Sequence, residues 1–271
     1  MSLSYGITGE KIAKINDKNN KKMDGLIIRL FDELNNNNSC DKNNKILPYP
    51  NNFVYDLSDK KNSKFVILPQ DSNINKANHI LVIGQTGSGK SNFIKDYLND
   101  INHDRTVYIF NSSDKTEPYD KPDRIRINLN TLKDNNLTLD LLSNSVCIFD
   151  DIDGINDTDI LKIVKQLQMN ILENGRKYNI WSISTTHNLY NGKNQGIINE
   201  VQYICVFHQA INSVHLINFL KSLGVTNKGI KYIRKLSGRH ILIYKSFPSY
   251  LISEKSIIVL NKLDSYLDDL E

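Results

Sequence analysis

The chain has 271 residues, with 34 lysines and arginines against 30 aspartates and glutamates, and a formal net charge of +4. This near balance excludes a protein that coats nucleic acid over its whole surface, although it permits a local basic path. No apolar stretch approaches the roughly 18 residues that a membrane-spanning helix needs, and the N-terminus lacks the apolar core of a signal peptide. We therefore expect an intracellular protein without membrane insertion.

The N-terminal residues 1–62 differ in composition from the rest of the chain. Lysine and asparagine dominate residues 16–22, and a second polar tract covers residues 35–39. Between them, residues 24–34 (DGLIIRLFDEL) have the apolar spacing of a short amphipathic helix. We interpret residues 1–62 as a partly disordered arm with one short helix. It is either a polar linker or a docking arm for a neighbouring protein such as a capsid component.

From Phe65 onward, apolar runs of strand length alternate with segments of helical periodicity. The predicted strands lie near residues 80–83, 106–110, 146–150, 180–185, 203–207 and 240–244, and the predicted helices near residues 90–101, 158–174, 214–223 and 228–236. This alternation predicts an α/β fold with a mostly parallel sheet and helices on both faces. Cys147 and Cys205 lie inside apolar runs, so we expect buried thiols rather than metal ligands.

A glycine-rich loop follows the strand predicted at residues 80–83. It matches the pattern G-x-x-x-x-G-K-[ST] with Gly84, Gln85, Thr86, Gly87, Ser88, Gly89, Lys90 and Ser91. Glycines let successive backbone N–H groups turn inward around phosphate oxygens, and the N-terminus of the following helix adds a partial positive charge. Lys90 is expected to reach the β- and γ-phosphates, and the Ser91 hydroxyl to hold Mg²⁺. The motif therefore predicts a site for a nucleoside triphosphate.

A second motif is the apolar run at residues 146–149, which ends in Asp150 and Asp151. Ligands of open α/β sheets bind at the carboxyl ends of the strands, so both acids would face the nucleotide. We expect Asp150 to hold Mg²⁺ through water, and Asp151 to orient or deprotonate the attacking water. The alternative is that two acids at a strand end only begin a solvated turn.

A third segment covers residues 174–187, where a helix ends at a glycine, Arg176 follows, and a strand ends in Thr-Thr-His. His187 would then lie beside the γ-phosphate, where it could sense that group or position water; otherwise it is a surface histidine. Arg176 is either a surface charge or an arginine finger that reaches the nucleotide of an adjacent subunit.

Together with residues 203–209 and 238–242, the order of these motifs resembles the FtsK–HerA superfamily of DNA-pumping ATPases. Over residues 65–245 it is most similar to the compact genome-packaging ATPases of poxviruses, giant DNA viruses and virophages. Two positions depart from that family, which usually carries glutamate in place of Asp151 and glutamine in place of His187.

The resemblance implies a RecA/FtsK-like P-loop ATPase domain over residues 63–271 that uses ATP and Mg²⁺ to drive double-stranded DNA into a capsid. It also implies a homo-oligomeric ring, usually of six subunits, and a capsid or portal component as a further partner. The host cytoplasm, in a viral factory, and the virion would be its locations. The candidate DNA contacts are Lys115, Lys121, Arg124, Arg126 and residues 188–193.

Two other interpretations stay open on the residues alone. Residues 151–154 match D-x-x-G, and Asn261, Lys262, Leu263 and Asp264 match the guanine-reading pattern N-K-x-D of a P-loop GTPase. The long separation between these two matches and the short chain remaining after Asp264 oppose that interpretation. A scaffold with a degenerate nucleotide loop is opposed by the intact Lys90, Ser91 and Asp150.

Overall fold

The computed structural model describes most of the chain. The described residues are 2–4, 10–17, 19–21, 23–31, 54–60, 62–67, 78–100, 105–113, 115–187, 189, 195–208 and 213–269. Contacts group the chain into two compact units, residues 72–211 and residues 1–71 with 212–271. We call the first the P-loop unit and the second the flanking unit. The predicted domain boundary at residue 62 stays a prediction.

Among the described residues, strands precede the first helix, and the later helices are interspersed among the remaining strands. The strands are β1 (Ser2–Ser4), β2 (Glu10–Asp17), β3 (Ile27–Phe31), β4 (Val54–Asp56), β5 (Ser63–Ile67), β6 (His79–Ile83), β7 (Thr106–Asn111), β8 (Arg124–Arg126), β9 (Ser145–Asp150), β10 (Trp181–Thr186), β11 (Tyr203–Phe207), β12 (His240–Tyr244), β13 (Tyr250–Ser253) and β14 (Ser256–Val259). The α-helices are α1 (Lys90–Asp100), α2 (Thr158–Asn174), α3 (Gln195–Glu200), α4 (Val214–Ser222), α5 (Asn227–Ile233) and α6 (Leu263–Asp268). Short 3₁₀ turns lie at Leu129–Lys133, Ile152–Gly154, Gly175–Tyr178 and Leu260–Lys262.

The P-loop unit is built on parallel strands in the order β11, β6, β10, β9, β7 and β8. Every residue of β6, β9 and β11 is buried, as their continuously apolar sequences predict. The α/β fold class with a mostly parallel sheet is therefore confirmed. The strands and helices predicted from residue 80 onward lie within three residues of the observed bounds.

Helix α2 covers one face of this sheet. Asp157 caps its N-terminus, because the Asp157 carboxylate accepts from the backbone N–H groups of Asp159 and Ile160 at 3.0 and 3.1 Å. The buried side chains of α2 recur at helical spacing and pack with the stacked rings of Phe110 and Phe149, whose centroids are 4.8 Å apart. This packing holds the carboxyl ends of β7 and β9 in fixed positions.

The flanking unit contains an antiparallel sheet in the order β1, β3, β2 and β5, and the antiparallel strands β4, β14, β13 and β12. The helix predicted at residues 24–34 is wrong, because β3 occupies Ile27–Phe31. Gly25, at φ +79°, turns the chain so that β3 pairs with β2, and this pairing overrides the helical spacing. Residues 32–34 of that predicted helix lie outside the described residues.

The thiols of Cys147 and Cys205 are fully buried, as predicted. Burial raises the pKa of Cys147 to about 12 and that of Cys205 well above its usual value. In the part of the chain that the structure describes, no helix is long and apolar enough to cross a membrane.

Candidate active site

The glycine-rich loop connects the carboxyl end of β6 to the first turn of α1. Gly87 and Gly89 have φ angles of +77° and +107°, which side-chain-bearing residues rarely adopt. A Cβ atom at Gly84 would lie 2.5 Å from the Ser88 hydroxyl oxygen and 3.0 Å from Cβ of Phe207, so this position also requires glycine. The backbone shape that a phosphate cradle needs is therefore set by these glycines.

The Lys90 side chain curls back over the loop. Its ammonium group donates to the carbonyl oxygens of Gly84 and Gln85 at 2.8 and 3.2 Å. Burial lowers the pKa of Lys90, and the negative charges of Asp150, Asp151 and Glu117 oppose that shift. The cation thus lies at the mouth of the loop, where the phosphate oxygens of a nucleotide would replace the two carbonyl groups.

Asp150 ends β9, is only 7% exposed, and accepts hydrogen bonds at both carboxylate oxygens. Thr185, near the end of β10, donates its hydroxyl to Oδ1 at 2.5 Å. The Tyr119 hydroxyl donates to Oδ2, and the Asn111 amide at the end of β7 donates to the same oxygen at 3.3 Å. Burial, followed by the charge of Asp150, raises the pKa of Tyr119, so the phenol remains a donor. These donors fix the orientation of the carboxylate.

Asp151 has the left-handed backbone conformation, with φ at 50°. Its N–H group donates to the Thr185 hydroxyl oxygen at 3.1 Å, and its carbonyl oxygen accepts from the Ser112 hydroxyl at 2.8 Å. The carboxylate points to solvent, with Oδ1 3.5 Å from Nε2 of His187. The structure therefore pairs the two residues that depart from the resembled family, and both side chains are about half exposed, at 55% and 51%.

Arg176 does not lie in the glycine-loop site of its own chain. It belongs to the 3₁₀ turn Gly175–Tyr178 that precedes β10, so it lies at the amino edge of the sheet. Six residues at about 3.3 Å each separate that edge from the carboxyl edge, a distance of about 20 Å. The action of Arg176 on a neighbouring subunit stays a prediction.

Two of the candidate DNA contacts hold the loop between β7 and β8 instead. Arg124 donates to the Tyr119 carbonyl oxygen at 2.5 Å, and Arg126 forms a 2.6 Å ion pair with Asp120. Lys115 and Lys121 are exposed, and Lys121 donates to the side-chain carbonyl of Asn99 at 2.8 Å. The other candidate segment, residues 188–193, lies outside the described residues except for the buried Leu189.

The guanine-reading pattern has a different use within the flanking unit. Asp264 accepts the Thr226 hydroxyl at 2.6 Å, and Thr226 caps the N-terminus of α5. Leu263 is fully buried, and the pattern runs through a 3₁₀ turn into α6. The carboxylate that would read guanine is therefore committed to a contact between helices.

The sequence interpretation missed three contributors to the site. Thr185 was within the predicted strand end but had no assigned role, and Asn111 closes a strand whose end the prediction placed one residue earlier. Nothing in the sequence signals Tyr119, because its contact with Asp150 spans 31 residues and depends on how the intervening loop folds.

The candidate ligands fit Mg²⁺ in the way that phosphate-transfer sites hold it. Among the described residues, no group of three His, Cys, Asp or Glu side chains could hold a metal by itself. Asp150 is an oriented carboxylate, and Ser91 lies in the first turn of α1. One carboxylate, one hydroxyl and substrate phosphates are a usual ligand set for this ion.

The fold, the glycine loop and the acid-ended neighbouring strand define a P-loop nucleoside triphosphatase. The chain belongs to the family whose model is described as "P-loop containing dynein motor region", which matches residues 58–205, more than half of its length.

The comparison with curated proteins gives a viral relative. The chain is 29% identical over 216 residues to "Uncharacterized protein V3" of Sputnik virophage, covering 74% of this chain and 86% of that protein. The class of protein predicted from the sequence is thereby confirmed. The chain is a P-loop NTPase with a virophage relative.

Solved structures with a similar chain include the genome packaging NTPase B204 from Sulfolobus turreted icosahedral virus 2, in complex with AMP. The match has a TM-score of 0.44 and 14% identity, over 68% of this chain and 99% of that one. The cytoplasmic domain of the Type VII secretion ATPase EccC from Thermomonospora curvata matches with a TM-score of 0.46 and 13% identity, over 77% of this chain and 29% of that one.

Proposed function

We propose that this protein is an ATPase that moves double-stranded DNA and packages a viral genome into a capsid. The proposed hydrolysis rests on one observation, the oriented carboxylate of Asp150. Asp150 ends β9, next to the strand β10 that carries Thr185, and lies at the same sheet edge as the glycine loop. The motif order of the sequence and the virophage relative support the packaging role. A viral factory in the host cytoplasm and the virion are the proposed locations.

Hydrolysis would divide the work among residues with different environments. The loop N–H groups and Lys90 bind the phosphates and offset the charge that develops on the transferred group. Ser91 and Asp150 would hold Mg²⁺, which supplies further neutralisation of phosphate charge when it is bound. Asp151, exposed and free to face water, takes the proton of the attacking water. His187 lies close enough to orient that carboxylate.

DNA binding would depend on a few lysines repeated around a homo-oligomeric ring, which we propose to be a hexamer. Lys115 and Lys121 are exposed on the loop that also carries Tyr119. Contacts between lysines and phosphates release counterions, so their contributions add over the subunits and weaken steeply with salt. Such binding carries no base preference, which suits a motor that must pass any sequence.

The decisive experiment measures phosphate release from ATP and GTP, with and without double-stranded DNA, from low to high salt. We expect ATP turnover that DNA stimulates, with stimulation that declines as salt rises. The double variant Lys115→Ala and Lys121→Ala should lose stimulation but keep basal turnover, while Lys162→Ala on the exposed face of α2 should keep both. An assembled oligomer whose turnover ignores DNA at low salt would contradict the packaging role. A preference for GTP that Asp264→Ala removes would favour the GTPase interpretation.

A further inference from the structure

We propose that Tyr119 is a positioning residue for Asp150, and that the loop of residues 112–113 and 115–123 carries this tyrosine into the nucleotide site. The inference rests on the proposed hydrolysis, since it concerns how the same carboxylate is held for its metal. It adds to that function a residue and a loop that no motif of the sequence marks.

The Tyr119 hydroxyl contacts both the Asn111 amide and the Asp150 carboxylate. Tyr119 is fully buried, and its hydroxyl oxygen accepts from the Asn111 amide at 3.0 Å. Since that amide occupies an acceptor position of the oxygen, the phenol proton is available for Oδ2 of Asp150. The direction of the hydrogen bond is therefore fixed, with Tyr119 as the donor and the carboxylate as the acceptor.

The other carboxylate oxygen of Asp150 is also held by a hydrogen-bond donor. Thr185 donates to Oδ1 of Asp150, so the two oxygens are held from opposite neighbouring strands, β10 and the β7 side. A carboxylate restrained at both oxygens keeps one orientation when a metal approaches. Without the phenol, the side chain could rotate toward the Lys90 ammonium and form an ion pair in place of a metal contact.

The loop that carries Tyr119 is itself held by hydrogen bonds from β8. Arg126 donates to the Ser113 carbonyl oxygen at 2.8 Å and to the Asp120 carboxylate at 2.6 Å. Arg124 donates to the Tyr119 carbonyl oxygen at 2.5 Å. The edge strand β8 thus anchors the loop through two guanidinium groups, and the anchored residue is the one that reaches Asp150.

The test titrates Mg²⁺ against binding of a fluorescent ATP analogue, with an EDTA series for binding without metal. Partners of metal ligands typically contribute 10- to 100-fold to metal affinity. For Tyr119→Phe we expect binding without metal to be unchanged, and the Mg²⁺ concentration at half-maximal enhancement to rise about 10-fold. Tyr108→Phe, on β7 of the same unit, is the matched control and should follow the wild type.

Two results would overturn the inference. The first is a Tyr119→Phe titration within two-fold of the wild type or shifted to lower Mg²⁺. The second is an equal loss of binding with and without metal, which would indicate a merely structural tyrosine. If Tyr119→Phe does not fold, Arg126→Gln on β8 replaces it, and a rise in the required Mg²⁺ is again expected because the loop loses an anchor. An unchanged titration for Arg126→Gln would then count against the inference.

The outcome is separable from that of the proposed function. A wild-type protein that binds the analogue with Mg²⁺ but ignores DNA loses the packaging role, and the Tyr119 inference stands or falls on its own titration. A wild-type protein without any metal-dependent binding overturns both.

Discussion

In the P-loop unit, the carboxyl edge and the amino edge of the parallel sheet both carry charged and polar side chains. These side chains serve different purposes at the two edges. At the carboxyl edge, neutral donors hold both carboxylate oxygens of Asp150, and the side chain of Asp151 is about half exposed. At the amino edge, Arg105 lies 4.1 Å above the Trp181 ring and donates to the backbone and side-chain oxygens of Asn179 at 2.5 and 2.6 Å. The acids of the carboxyl edge lie at the same sheet edge as the glycine loop, whereas the cation of the amino edge is bound to neutral groups of its own chain.

The difference between the two edges indicates which edge of the sheet can bind a ligand. His79 begins β6 at the amino edge, is 1% exposed, and shares a 2.8 Å hydrogen bond with the Ser182 hydroxyl, while the glycine loop follows the same strand at its other end. The hydrogen bond of His79 at the amino edge joins β6 to β10. An open, charged carboxyl edge is the one that can bind phosphate, because its helix N-terminus and glycine N–H groups face outward.

The largest expected effect separates the two edges through their cations. Lys90→Ala should lower ATP turnover by about 10³-fold or more, because the charge on the transferred phosphoryl group loses its cation. Arg105→Ala should keep turnover at low temperature but lower the free energy of unfolding by about 1–3 kcal/mol. Phosphate release and chemical denaturation measure the two effects. Unchanged turnover in Lys90→Ala would remove the catalytic assignment of the carboxyl edge.

The next effect concerns whether the amino edge serves a second subunit. Arg176→Ala should lower turnover by about 10³-fold if its guanidinium stabilises transition-state charge on a neighbour's nucleotide. Since Arg176 lies about 20 Å from its own loop, the loss should be complemented by mixing Arg176→Ala with Lys90→Ala subunits. If mixed oligomers stay inactive at every ratio, Arg176 does not act on the nucleotide of a neighbouring subunit.

A smaller effect is expected at the exposed acid of the carboxyl edge. Asp151→Asn should lower kcat about 10²-fold while nucleotide affinity is kept, because only proton transfer is lost and asparagine tolerates the left-handed backbone. Asp153→Asn is the matched control, since Asp153 forms a 2.6 Å ion pair with Lys165. Single-turnover kinetics and a binding titration separate the two steps. Full turnover in Asp151→Asn would require another base.

The last effect is on stability rather than turnover and tests the amino edge. Burial lowers the pKa of His79 from its ordinary 6.5 to about 4. The unfolded chain therefore takes up a proton between these values that the folded chain refuses. The free energy of unfolding should fall by about 3 kcal/mol as the pH drops from 7 to 4. His79→Asn should show a shallower fall than the wild type, while His215→Asn should not. Equal slopes for all three would show that His79 is not held neutral.

Much of the P-loop unit could be predicted, because its strands carry continuous apolar runs and its loop carries a backbone-dictated motif. The position of Asp150 at the end of a buried strand was predictable for the same reason, since it depends on local spacing. The strand β3 was mistaken for a helix, because its pairing with β2 depends on a turn at Gly25 and not on its own periodicity. The contact of Tyr119 depends on how a loop folds, which no local pattern encodes, whereas the amino-edge position of Arg176 follows from its place before a predicted strand.

The deep burial of Cys147 and Cys205 makes the chain suitable for site-specific labelling. A thiol reacts as its thiolate, and at neutral pH a group with a pKa of about 12, as for Cys147, supplies only about one thiolate in 10⁵. Burial likewise raises the pKa of Cys205 well above its usual value, so its thiol also reacts little. With Cys40 replaced by serine, a cysteine introduced at the exposed Lys121 would take a maleimide dye in the native protein. Such a dye would report directly on the loop that carries Tyr119.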